Sequence, residues 1–195
     1  MTAPAPRSDS RRAGVTAVVL LLGVMWVSEV VDTALGGRLD GLGIEPRSVE
    51  GLSGVVAAPF LHGGFGHLVA NTVPFVVLGV LVALAGLARL LGVTAVVVVV
   101  GGLGTWLTAP SGTVTIGASG LVFGFAAYLV ARGAFDRRLA SLAVGLLVAV
   151  VYGTTLLLGL VPRPGVSWQG HLFGAVGGLV AARLLAQRRE RRERR

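Results

Sequence analysis

An almost unbroken apolar stretch runs from about Gly14 to about Gln187, and nothing else constrains the chain as much. A helix that crosses a bilayer takes about 20 residues. The stretch therefore holds at most six or seven spans with their connections. Only 13% of the residues are charged and mean hydropathy is +0.82. A soluble domain carries nearly twice that charge. Disorder is excluded by the amount of apolar surface. The absence of cysteine removes both a disulfide scaffold and a Cys-ligated metal site. The class is a polytopic, all-α membrane protein.

The breaks are chemically marked. Residues 1–12 are a Pro/Ser/Arg-rich lead, read as a disordered basic tail. Span 1 covers about 13–35; no small-x-small cleavage site follows it, so it reads as an anchor rather than a signal peptide. Residues 36–65 form a long connection of mixed polarity, with short helical pieces expected at the interface. Spans 2 to 6 are expected at about 66–87, 90–108, 114–131, 138–160 and 167–187. Arg89, the turn cluster Ala109-Pro110-Ser111-Gly112, the charges Arg132–Arg138 and the run Pro162-Arg163-Pro164-Gly165 separate them. Residues 13–187 thus form the membrane domain and 188–195 an arginine-rich tail.

All 17 basic residues are arginine. A sequence pI near 11.6 raises the question of nucleic acid. The positions of the arginines argue for topology anchoring instead. With both termini inside, the inner segments hold 14 of the 17, leaving only Arg38, Arg47 and Arg163 outside. That bias predicts six spans and cytoplasmic termini in a cell membrane. The terminal arginines are also suited to anionic lipid head groups, and no nucleic-acid partner is expected.

Polar side chains in hydrocarbon are expensive and usually functional. His67 and Asn71 are four residues apart, so they share a helical face. Ser119 lies in Gly117-Ala118-Ser119-Gly120, about five residues into the expected span 4. His171 lies about four residues into span 6. With parallel spans 2, 4 and 6, all four reach one level near the outer side. Each has a bland reading as well: a serine beside glycine is often packing glue, and a lone His is as often a satisfied core residue. A second G-x-S-G copy, Gly51-Leu52-Ser53-Gly54, falls in the outer connection and reads as structural. What favours chemistry is convergence. Serine needs a base to become a nucleophile, and a neutral His supplies one. Asn71, His67 and backbone N–H groups near Ser119 are suited to stabilise an oxyanion. No Asp or Glu lies within spans 2 to 6, so a Ser–His dyad is the reading rather than a triad. Gly120 and Gly124 on span 4, with Gly174 and Gly178 on span 6, let two backbones approach closely.

Three signatures carry a family resemblance. The run from Ala58 to Asn71 contains His62, His67 and Asn71 as H-x4-H-x3-N. It is followed by Gly117-Ala118-Ser119-Gly120-Leu121-Val122-Phe123-Gly124, and then by Gly170-His171-Leu172-Phe173-Gly174. In this order they resemble the rhomboid family of intramembrane serine proteases, over about residues 58–182. The resemblance implies a minimal six-transmembrane rhomboid-like bundle. It implies Ser119 as nucleophile, His171 as general base, and His67 and Asn71 toward the oxyanion. Phe123 would pack on the catalytic histidine, and His62 would have a structural or water-network role. Substrates would be transmembrane proteins, cut near their outer ends. The family's Trp-Arg pair in the first outer loop is absent, which leaves the detailed fold of that loop open. No cofactor or metal is implied.

A transporter or channel using His and Asn as permeation ligands is the main alternative. Intramembrane carboxylates for ion coupling and an inverted repeat are both missing. A non-proteolytic, substrate-binding relative is the other; such relatives typically lose the Ser or His retained here.

Overall fold

The computed structural model describes residues 7–136 and 138–193. They form an all-helical bundle. Helix α1 spans Arg7–Ala34. A connection follows, holding 3-10 turns at Leu39–Leu42, Glu50–Leu52 and Ala58–Phe60 and a short α2 at Gly54–Ala57. Then come α3 (Phe65–Ala83), α4 (Leu87–Thr108), α5 (Ser119–Asp136), α6 (Leu139–Gly159) and α7 (Trp168–Glu193). By length and composition, α1, α3, α4 and α6 can cross a membrane; the apolar part of α5, Ser119–Phe135, is shorter. The protein is a multi-pass membrane protein.

Helix α5 is the hub, packed against α3, α4, α6 and α7. Its sequence is apolar nearly all round, as a helix surrounded by others must be. Leu121, Phe125, Ala126, Tyr128 and Leu129 are buried together with Phe75 and Leu78 of α3 and Val93 and Val97 of α4. Phe75 and Phe125 pack with ring centroids 5.9 Å apart. Helix α6 packs chiefly on α5. It turns Leu139, Leu146, Val150 and Leu157 outward. An apolar face of that extent is untenable in water and natural in lipid.

Some helix ends shift by three to five residues from the sequence expectation: α3 ends at Ala83, α4 begins at Leu87, so that Arg89 lies inside the helix and not between two, and α5 ends at Asp136. Beyond these, three boundaries differ in ways that bear on the bundle and its site. Residues 7–12, expected in a tail, are the first turns of α1. Residues 188–193 continue α7 rather than leaving it. Arginine and glutamate are good helix formers, so a helix can run past the hydrocarbon where the apolar pattern stops. Residues 1–6, 194 and 195 lie outside the described residues. The third difference concerns the site. Hydropathy starts span 4 at 114, but α5 starts at Ser119. Thr115 instead exchanges both backbone hydrogen bonds with Ile44 of the first connection (2.9 and 3.0 Å). Gly117 then takes φ +116°, which ends any helix reaching back through it. Ser119 is thus the first residue of its helix, not the fifth.

Candidate active site

Ser119 opens α5, and His171 is the fourth residue of α7. Glycine brings these two helices together. A Cβ on Gly174 would fall on the Gly120 carbonyl, and one on Gly178 would fall on the Gly124 carbonyl. Gly124 in turn meets Val97 side-chain atoms of α4. Gly124, Gly174 and Gly178 therefore sit where only hydrogen fits, and Gly120 supplies the carbonyl that Gly174 rests on.

Across this contact, Ser119 Oγ lies 2.9 Å from His171 Nε2. His171 Nδ1 lies 2.7 Å from the Gly159 carbonyl oxygen at the end of α6. A carbonyl only accepts, so Nδ1 carries the proton and donates it. Nε2 then keeps its lone pair for the Ser119 hydroxyl. The side chain of Phe123, one turn into α5, covers the imidazole. The two rings are stacked, centroids 4.1 Å apart and planes within 6°. Gly159 has no room for a Cβ, which would strike the Phe123 ring and approach Nδ1 to 3.1 Å. The imidazole is thus held by a carbonyl at one nitrogen and an aromatic face on one side. Glu29 and Asp32, the buried carboxylates at the end of α1, serve the first connection. Asp32 accepts the Leu39 N–H at 2.6 Å, and Glu29 accepts from Gly64.

The residues before Ser119 are tied to the first connection. The Gly117 N–H donates to the Ala58 carbonyl (2.8 Å). The Ala118 N–H donates to His62 Nε2 (3.2 Å). His62 is 1% exposed. Burial and the neighbouring His67 push its pKa down to about 4, which suits a ring that must accept at Nε2. His62 therefore positions the chain just before Ser119. The His67 ring packs against Gly117, where a Cβ would come within 2.7 Å of it. Asn71 is buried one turn further along α3, and its Nδ2 donates to the His67 carbonyl (3.0 Å). The amide keeps a second N–H. Ser53 is elsewhere: exposed, at the N-cap of α2, its hydroxyl donating to the Glu50 carbonyl (2.9 Å).

A cavity of about 780 Å³ opens between segments 109–116 and 162–169 and reaches Gly63 and His67. Arg163 is the one formally charged side chain among its lining residues. A smaller space of about 50 Å³ lies behind Ser119, walled by Val97, Gly101, Thr105 and Gly120.

Two features escape a reading of side chains. The Gly159 carbonyl is backbone, so no residue type announces it; only the break after span 5 places it near a helix end. The other is a clamp between Arg47 and the end of α4. The backbone N–H of Arg47 donates to the Trp106 carbonyl (3.1 Å), and Trp106 Nε1 donates to the Ser48 carbonyl (2.7 Å). A Trp and an Arg do act together in the first connection, but Trp106 comes from α4, 59 positions away in sequence from Arg47.

Comparison with known proteins gives the family. The family profile described as the rhomboid domain matches residues 49–188. An uncharacterized protein of Mycobacterium tuberculosis is 47% identical over 182 residues, covering 89% of this chain and 75% of that protein. A Mycobacterium leprae protein, also uncharacterized, is 44% identical over 182 residues, covering 89% and 71%. The Bacillus subtilis protein named "Putative rhomboid protease YdcA" is 31% identical over 133 residues, covering 68% of this chain and 66% of its own length. The chain, a multi-pass helical membrane protein, belongs to the rhomboid family.

Proposed function

We propose that the protein is an intramembrane serine endopeptidase that cuts transmembrane substrates near their outer ends. One observation carries the reading. Ser119 Oγ stands 2.9 Å from His171 Nε2, while His171 Nδ1 is engaged by the Gly159 carbonyl. Ser119 is the nucleophile and His171 the general base. In the first step Oγ bonds to the scissile carbonyl carbon as its proton passes to Nε2. The negative charge moves to the carbonyl oxygen, where the Ser119 N–H, His67 and Asn71 supply donors. The C–N bond then breaks, and Nε2 returns the proton to the leaving amine. Water attacks the acyl-enzyme with His171 again as base, releasing the carboxyl product and restoring the hydroxyl. Nδ1–H keeps its acceptor throughout, so the imidazolium that forms is stabilised by a neutral carbonyl. The cavity of about 780 Å³ beside His67 is the route for water.

The chain adopts six spans with both termini cytoplasmic in a cell membrane, a reading supported by the 14:3 distribution of arginine. The charge of its terminal arginines suits anionic lipid head groups. The test is cleavage of a model transmembrane substrate by the purified protein in proteoliposomes. Wild type should produce the two fragments and Ser119→Ala should not. Equal cleavage by both would reject the reading.

A further inference from the structure

Ten residues, 109–118, join α4 to Ser119, and they hold no helix of their own. They wall the large cavity and end at the nucleophile. Their root is fixed by one side chain. Arg47 Nη1 donates to the carbonyls of Leu107 (3.1 Å) and Ala109 (2.8 Å), and Nη2 donates to Ser111 Oγ (2.6 Å). The carbonyls at a helix C-terminus carry partial negative charge and lack intrahelical partners. Helices commonly satisfy them with a left-handed glycine. Here α4 ends instead at Ala109 in an extended conformation, followed by Pro110. The guanidinium does the glycine's work, and its planar fork reaches three acceptors where an ammonium reaches fewer.

Arg47 achieves this at a cost. Its φ is +61°, the one positive φ outside glycine among the described residues. A left-handed arginine is strained, and such strain persists only where surrounding contacts over-determine it. The contacts are those of the clamp. Beyond it, the Ile44–Thr115 pair, Gly117 on Ala58 and Ala118 on His62 continue the same seam up to Ser119. The first connection is therefore a splint for the segment that presents the nucleophile.

We propose that Arg47 is a positioning residue: through segment 109–118 it sets the pose of the Ser119 backbone N–H toward the substrate carbonyl. The kinetic part of this rests on the proteolytic reading above; the structural part does not. Arg47→Gly is the informative variant, because glycine accepts φ +61° without strain and the fork is lost. Arg47→Asn, which also tolerates this region, loses the fork without glycine's added backbone freedom and should behave alike. Displacing a donor by a fraction of an ångström costs less than removing it, so kcat per titrated active site should fall about tenfold. KM should stay within about twofold, because substrate docking does not use this donor. Arg47→Lys should recover part of kcat. A merely structural role would lower the melting temperature and the fraction of active sites, but not kcat per active site.

Amide hydrogen exchange supplies a readout independent of proteolysis. The Thr115, Gly117 and Ala118 amides should exchange at least about tenfold faster in Arg47→Gly than in wild type, as expected of a locally released segment. Unchanged exchange at those three amides would overturn the splint. Faster exchange with wild-type kcat per active site would overturn the positioning role. A wild-type protein that cuts nothing would count against the proposed function, and the exchange comparison would still decide whether Arg47 holds the segment.

Discussion

The Gly159 carbonyl oxygen lies 2.7 Å from His171 Nδ1, in the place where a triad would put a carboxylate. It fixes the tautomer and the ring plane but contributes no charge. The first prediction follows from how little space surrounds it. In Gly159→Ala the new methyl meets the Phe123 ring and Nδ1. Either the imidazole rotates off Ser119 or Phe123 leaves its stacked position. Misplacement by about 1 Å at a reacting group can cost about 10²-fold. Turnover should fall by about that factor, and labelling of Ser119 by a small phosphonate probe should slow in parallel. Wild-type labelling in Gly159→Ala would mean that Gly159 does not hold the base.

The distance between Ser119 and His171 depends on a helix contact without side chains. Gly174→Ala and Gly178→Ala each place a methyl on a carbonyl of α5. Overpacking of this kind typically costs about 1–3 kcal/mol. Both variants should melt at lower temperature and lose most of their proteolysis. A Cβ added at Gly23 on α1 would meet nothing within 4 Å, so Gly23→Ala should keep or slightly raise the melting temperature. Comparable losses at Gly23 and Gly174 would mean that the tight α5–α7 contact is not what matters.

His62 makes stability depend on pH. Folded, it resists protonation until about pH 4; unfolded, it protonates near 6.5. Between those values the unfolded chain binds more protons. The stabilisation is therefore full above about pH 6.5, is lost as pH falls through the window, and levels off near 4. A displacement of this size corresponds to on the order of 3 kcal/mol. Asp40, whose carboxyl is raised by burial and by Asp32, pulls the other way, so the comparison belongs between variants. Melting curves from about pH 7 to about pH 4 should fall more steeply for wild type than for His62→Gln. The substituted glutamine keeps an acceptor for the Ala118 N–H but does not titrate. Parallel curves would remove His62 as the source.

Most of the bundle is legible because hydrocarbon demands long apolar helices, and the breaks between them carry arginine, proline or glycine. Legibility fails where backbone does the work. Val114 and Ile116 look like the start of a span by hydropathy. Only pairing with Ile44, remote in sequence, makes that stretch extended and moves the start of α5 to Ser119. His67, Asn71, Ser119 and His171 stand out as rare polar groups in an apolar chain. The acceptor at Gly159 and the clamp of Arg47 do not, since one is a carbonyl and the other joins residues about sixty positions apart. The candidate pair Ser119 and His171 is thus readable from composition and spacing, and what holds it only from the fold.

The orientation of the bundle decides which side of the membrane supplies water and substrate ends. With both termini inside, as proposed, the inner segments hold 14 arginines and the outer segments three. Reversing the chain would invert that bias, and charge asymmetry of this kind sets orientation in short-looped membrane proteins. The chain has no cysteine, so single cysteines report without background. Four exposed positions serve. Glu50→Cys lies in the first connection and Ser8→Cys at the start of α1. Ala85→Cys lies between α3 and α4, and Ala134→Cys near the end of α5. In intact cells a membrane-impermeant thiol reagent should label position 50 and spare 8, 85 and 134. Permeabilised cells should label all four. Labelling of 8 and 85 in intact cells with 50 protected would reverse the orientation and place the cavity beside His67 on the cytoplasmic side. Ser119 would then draw its water from the cytosol, and substrates cut near their outer ends would be the wrong ones to test.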